Sequence, residues 1–157
     1  MAYTNEDGLL IRFNEERGAV AGDGTSNPEV QTLSVVIDSA DLPGLADIAG
    51  DRPFLPANAL VTDAFLVCNT AWTGTTPTLT IGLGNSAGAV IDADGIDAAV
   101  AVNTAQAAAG DAVACDGALV DKTSTIGAAS GYVYATTGGT VTAGKSTLYV
   151  RYFVPTV

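Results

Sequence analysis

Leu55–Leu83 reads LPANALVTDAFLVCNTAWTGTTPTLTIGL, and the fold turns on how this stretch is taken. Leu60–Cys68 is a run of aliphatic, aromatic and Thr residues bounded by Pro56 and by Asn69–Thr70. Such residues suit a pleated, buried surface, and the length fits one strand. Thr76–Leu83 then alternates: Leu79, Ile81 and Leu83 fall on one face, Thr78, Thr80 and Gly82 on the other. The spacing predicts two strands joined by a turn over Asn69–Thr76, each with a core face.

Working outward, Val30–Asp38 (VQTLSVVID) is the next strand, with Leu33, Val35 and Ile37 alternating against Thr32, Ser34 and Val36. Leu42, Leu45 and Ile48 recur by threes, which predicts a short helical turn with Asp41 as its N-cap. Pro53 and Pro56 end it and deliver the chain, extended, into Leu60–Cys68. Downstream, turns are expected at Asn85–Gly88 and Asp92–Gly95, with short strands at Ala89–Ile91 and Ala98–Val102. The Ala-rich Thr104–Ala109 stretch predicts a turn of helix ended by Gly110. Tyr132–Gly139 is read as a strand closing on a Gly-Gly turn. Gly144–Pro155 is the last strand, with Leu148, Val150, Tyr152 and Val154 on one face. About eight strands at 8–12-residue spacing mark an all-β sandwich or barrel.

The first 29 residues have a different character. Leu9–Phe13 (LLIRF) is one candidate strand, followed by NEERGAVAGDGTSNP, which mixes charge, Gly and Pro without a period. We read 1–29 as an extended arm and 30–157 as the β domain. Either the arm is an edge strand plus loop, or it orders against a neighbouring subunit through Leu9, Ile11 and Phe13.

Composition narrows the function classes. Only 15% of residues are charged, against about a quarter in an average chain. The balance is 17 acidic to 6 basic, a net charge of −11, so phosphate-rich partners are repelled. Nucleic acid and anionic membranes are therefore not expected as partners. The N-terminus lacks the pattern of a signal peptide, and no apolar run reaches the ~18 residues a bilayer span needs. The chain has no His, which removes Ser-His-Asp and Cys-His catalysis. Cys68 and Cys115 are too few for a zinc site and read as buried thiols, with a disulfide as the alternative.

Several motifs match by pattern but lack their context. Gly139…Gly144-Lys145-Ser146 has phosphate-loop spacing, yet the β-branched and aromatic Thr147–Val154 follows where a helix is required. A hairpin turn is the expectation there. Gly82-Leu83-Gly84-Asn85-Ser86-Ala87 mimics a dinucleotide turn, but no amphipathic helix follows. Asp92, Asp94 and Asp97 suggest hard oxygen ligands for Ca²⁺, although Ile96 occupies the third ligand position of the loop pattern and a solvated turn is the simpler reading. No cofactor is expected. Trp72 with Tyr132, Tyr134, Tyr149 and Tyr152 offers either a sugar-stacking platform or ordinary packing.

Two strands are apolar on both faces. Val61, Phe65 and Val67 share one face, with Leu60, Leu66 and Cys68 on the other. Tyr149 and Phe153 lie opposite the apolar face of the last strand. Such faces are covered by the chain's own loops or by a neighbour, and a symmetric oligomer supplies a neighbour. The candidate subunit or partner contacts are these face residues together with those of the arm: Leu9, Ile11, Phe13, Val61, Phe65, Val67, Tyr149 and Phe153.

The run FLPANALVTDAFLVCNTAWTGTTPTLTIGL, then AVIDADGIDAAV, and the ending TAGKSTLYVRYFVP resemble small virion structural proteins of tailed bacteriophages. More narrowly, they resemble head-decoration, or capsid cement, proteins. The resemblance spans roughly Val30 to Pro155. It implies a jelly-roll-type antiparallel β-sandwich without enzymatic activity or cofactor. It also implies a homotrimer seated on the major capsid protein at the capsid surface, assembled in the host cytoplasm. Related domains in head and tail fibres make a carbohydrate- or receptor-binding module the alternative.

Overall fold

The structure is a computed structural model that describes residues 30–44 and 53–155, together with the backbone of 2–4, 10–12 and 45. Its elements are β1 (Ala2–Thr4), β2 (Leu10–Arg12), β3 (Gln31–Asp38), β4 (Gly44–Leu45), β5 (Phe54–Leu55), β6 (Leu60–Gly84), β7 (Val90–Ala101), α1 (Val102–Ala105), β8 (Ala112–Ala114) and β9 (Gly131–Phe153). The all-β expectation holds, and the described pairings between strands are antiparallel. β1 and β2 form a two-stranded sheet, and the other seven strands form one sheet whose main order is β3-β9-β6-β7. β4 and β5 add to β9, and β8 to β6.

The expected strand pairs are fused into two very long strands. β6 runs through Asn69–Thr76, where a turn was predicted, and β9 runs through Gly138–Gly144, where a Gly-Gly turn was predicted. They pair from Leu60↔Phe153 to Gly84↔Tyr132. The Thr, Gly and Pro residues that signal turns locally are absorbed as register shifts between Cys68 and Thr78. Bulges bend a ribbon without ending it. Trp72 packs into this bend against Gly144, where a β-carbon would lie 2.2 Å from the indole, so only glycine fits.

On either side of the bend the alternation works as read. Leu66, Leu79, Ile81, Leu83, Leu148 and Val150 are completely buried, and both halves of the ribbon contribute to one core with Val35 and Ile37 of β3. Each such side chain contributes about 1.5–3 kcal/mol by leaving water. Val154, placed on the same face by the pattern, is exposed.

The short elements differ more. The helical turn predicted at Asp41 is a 3-10 turn over Ser39–Asp41 capped by Asp38, whose carboxylate accepts the Ala40 N–H at 3.0 Å. Leu42 is extended, as the residue before Pro43 tends to be, so the spacing by threes never becomes a helix. Ile48 lies outside the described residues. The predicted Asp92–Gly95 turn is a bulged excursion of the edge strand β7 between Leu83↔Asp92 and Ile81↔Asp97. Its backbone bonds to the following loop, Gly117 N–H to Ile96 and Leu119 N–H to Gly95. The Ala-rich helix is a single turn shifted upstream to Val102–Ala105.

Candidate outer-face interaction site

The side of the sheet turned away from the core carries the candidate contacts. In the first half of the ribbon Phe65 faces Tyr149 directly across the β6–β9 pair. Their rings stack at 5.2 Å between centroids with 21° between planes. Val67 faces Thr147, whose hydroxyl bonds the Asn69 side chain at 2.8 Å. Phe65, Val67, Tyr149 and Phe153 are each half-buried in the lone chain. Two ion pairs border this face, Lys145–Asp38 at 2.7 Å and Arg151–Asp63 at 3.7 Å. The Lys145 ammonium holds the Asp38 carboxyl below its usual range, and Asp38 raises the lysine in return.

Val61 does not belong to this face. It is fully buried beside Ala64 and Leu66, because a bulge lies between Val61↔Tyr152 and Asp63↔Arg151. One extra residue there reverses the alternation, so Val61 points into the chain's own core. Ile11 lies on β2, which pairs with β1, and its side chain, with Leu9 and Phe13, lies outside the described residues.

Trp72 is not a binding platform either. It is 3% exposed, and its indole N–H donates to Ser146 Oγ at 2.7 Å. Ser146 in turn donates to Gln106 Oε1 at 2.8 Å, and the Gln106 amide donates to the Leu66, Ala105 and Asp111 carbonyls. This buried network ties the α1–β8 loop to the bend. The phosphate-loop match thus resolves into strand residues: Lys145 is ion-paired and Ser146 is buried in the network. The Gly82–Ala87 match is a strand end and a turn, with the Asn85 side chain accepting from Ala87 and Ala89.

The acidic residues of β7 separate. Among the described residues no three His, Cys, Asp or Glu side chains gather as a metal set. Asp97 is 5% exposed and borders a shallow depression of about 290 Å³ with Asp116. Burial, then the Asp116 charge, pushes its carboxyl up, while bonds from the Cys115 thiol and the Asp116 and Ala98 backbone partly offset this. Cys68 and Cys115 are buried free thiols, with Cys68 donating to the Gln106 carbonyl at 3.4 Å.

A second apolar row went unnoticed in the sequence. The pairings Phe54↔Tyr132, Tyr132↔Gly84 and Gly84↔Val90 set these residues side by side across the second half of the ribbon, with Gly84 itself buried. Phe54 is 45% exposed, Val90 49% and Ile91 43%, and Phe54 packs on Tyr132 at 5.4 Å. Val90 reads as a strand-forming residue, and only the register shows that it lines up with Phe54.

What the face offers is rings, hydroxyls and flanking ion pairs.

No protein-family model matches the sequence, and no curated protein matches it. Two solved structures share the fold. One is a chain described as "Capsid of Ralstonia phage GP4", 23% identical, with a TM-score of 0.54, covering 82% of this chain and 86% of that one. The other is "Cyanophage Pam1 capsid asymmetric unit", 19% identical, with a TM-score of 0.52, covering 91% of this chain and 98% of that one. At such identities the likeness is one of fold.

Proposed function

We propose that the chain is a non-enzymatic virion structural protein of a tailed phage, decorating the capsid exterior as an oligomer, most simply a homotrimer. The observation that carries this reading is the near end-to-end likeness to two capsid chains, 86% and 98% of whose lengths are covered. A fold shared over a whole chain supports a shared architectural role more than a shared fragment does, though fold alone never dictates function. In this reading the bent seven-stranded sheet is a jelly-roll-type sandwich, closed by the two halves of the β6–β9 ribbon.

The major capsid protein is the partner of the Phe65–Val67–Tyr149–Phe153 face, with the 1–29 arm as a second contact. Stacked aromatic rings of this kind are the anchors that protein interfaces favour. The sugar-binding alternative loses its main residue with the burial of Trp72 and is not carried further. The test is the copy number of this polypeptide in purified virions relative to the major capsid protein. Numbers of the same order support shell decoration. A far smaller number moves the chain to the tail or fibres, and absence from the particle overturns the reading. Deleting 1–28 is expected to abolish capsid binding while the β domain stays folded, and retained binding removes the arm from the contact.

A further inference from the structure

Residues 115–121 cross from the ribbon to the edge strand and are held by backbone bonds on both sides. The Cys115 and Asp121 N–H groups donate to the Ala64 and Val61 carbonyls of β6 at 2.9 and 3.1 Å. The Gly117 and Leu119 N–H groups donate to the Ile96 and Gly95 carbonyls of β7 at 2.9 and 2.8 Å. A β-carbon at Gly117 would lie 2.4 Å from the Ile96 carbonyl carbon, so this segment rests directly on the backbone of β7. At the same place it meets a carboxylate. Asp97 is 5% exposed and accepts from the Cys115 thiol and the Asp116 N–H, both in the segment. The Asp116 carboxylate borders the same depression, to which α1 and β8 bring only Ala105, Val113 and Ala114. On the ribbon side Asp97 stands opposite Ile81, and Asp63, which acts on Cys115, is itself paired with Arg151.

We propose that residues 115–121 form a proton-locked strap, closed onto β7 when Asp97 is protonated and loosened when it is ionised. The strap brings to Asp97 both cover from water and a second carboxylate, and each disfavours the charged form. Bonds from the Cys115 thiol and from the Asp116 and Ala98 N–H groups favour the charged form but are outweighed, so the carboxyl stands above its ordinary value while the strap is closed. Opening removes the cover and the like charge together and returns the carboxyl toward that value. The closed strap therefore holds a proton more tightly than the open one, and by linkage protonation favours closing. Opening is most frequent above the raised value, falls as pH descends through the window, and levels off below the ordinary one. It uncovers Cys115 and Val120, each 6% exposed and part of the core. The β6–β9 ribbon stays paired through such an opening, so the device stands apart from the capsid reading.

The test is amide hydrogen exchange on the full-length chain, read as protection factors of Gly117 and Leu119 beside those of Leu66 and Leu148, which are paired on both sides in the sheet. The strap amides are expected to be less protected than the ribbon amides, because they open without global unfolding. Their protection is expected to rise on acidification from neutrality, by about tenfold for each pH unit that the window spans. Asp97→Asn is expected to be more protected than wild type at neutral pH and to lose most of that rise. What remains is relief of the −11 net charge, common to all variants. Asp116→Asn, at an exposed position, keeps the backbone bond and removes the like charge. It is expected to reduce the rise without abolishing it, since burial is the larger cause. Strap amides as protected as those of the ribbon overturn the strap, because they then exchange only when the whole chain unfolds. Wild-type protection that does not change with pH, or a rise of equal size in Asp97→Asn, overturns the lock. Should Asp97→Asn fail to fold, a rise in Asp116→Asn equal to that of wild type overturns it.

Discussion

The two halves of the β6–β9 ribbon do the same work inward and different work outward. Inward, Leu66 and Leu148 on one side of the bend and Leu79, Ile81 and Leu83 on the other are all completely buried. Outward, the first half carries a stacked aromatic pair framed by Lys145–Asp38 and Arg151–Asp63, and the second carries Gly, Thr and Tyr without charge. One periodicity thus serves both halves on the core side, where the requirement is only to be apolar. The outer faces are free to diverge because neither has to fit the common core. Stability should therefore respond alike to core changes in the two halves, while association should not.

The sharpest way to break the comparison is at the bend that joins the halves. Trp72→Ala removes a buried indole and leaves Ser146 without the hydrogen bond it accepts. Large aromatic truncations in cores cost about 3–5 kcal/mol. At about 2–4 °C per kcal/mol for a chain of this length, a melting temperature lower by roughly 10 °C is expected. Trp72→Phe, which keeps most of the volume, should lose far less. If the two substitutions prove equally mild in thermal unfolding, the bend does not hold the halves together.

Next in size is the paired test of the two cores. Leu66→Ala and Leu79→Ala each empty a fully buried site, at a cost of about 2–5 kcal/mol. Denaturant unfolding should give two losses within that range in a single transition for each variant, because both residues sit in one core cluster. Two separate transitions, or a loss confined to one half, would show that the halves fold as independent units.

These core positions were legible in the sequence because alternation is a local signal. Leu79, Ile81 and Leu83, and Leu148 and Val150, were placed correctly from their neighbours alone. The features that were missed depend on distant partners. Asn69–Thr76 and Gly138–Gly144 look like turns, and only their pairing with each other makes them strand. Val61 was misplaced because a bulge leaves no trace in residue type. Gln106 sits in an Ala-rich stretch with nothing local to mark it, yet its partners Leu66 and Ser146 lie 40 residues away on either side. The candidate face was half legible: Phe65 and Tyr149 were recognised as outward, whereas the Phe54–Tyr132–Val90 row exists only through register.

The smallest effect separates the edges by pH. Asp38 is held below its usual range chiefly by its bond from Lys145, so its contribution is present above the ordinary carboxylate pKa and is lost as pH falls through its lowered value. Asp97 runs the other way. Burial and the nearby Asp116 raise its carboxyl, so between the ordinary value and the raised one the folded chain holds a proton that the unfolded chain does not. Stability from this group therefore increases as pH is lowered from neutrality through that window. The melting temperature should rise on the acid side of neutrality and then fall once Asp38 protonates. Relief of the −11 net charge adds a background rise common to all variants, so the informative quantity is the difference between wild type and Asp97→Asn. That difference should shrink on acidification from neutrality, as wild type gains the stability that the neutral amide already has. A difference independent of pH would mean that Asp97 titrates alike in the folded and unfolded chain, and the buried carboxylate of β7 would then be no more perturbed than an exposed one.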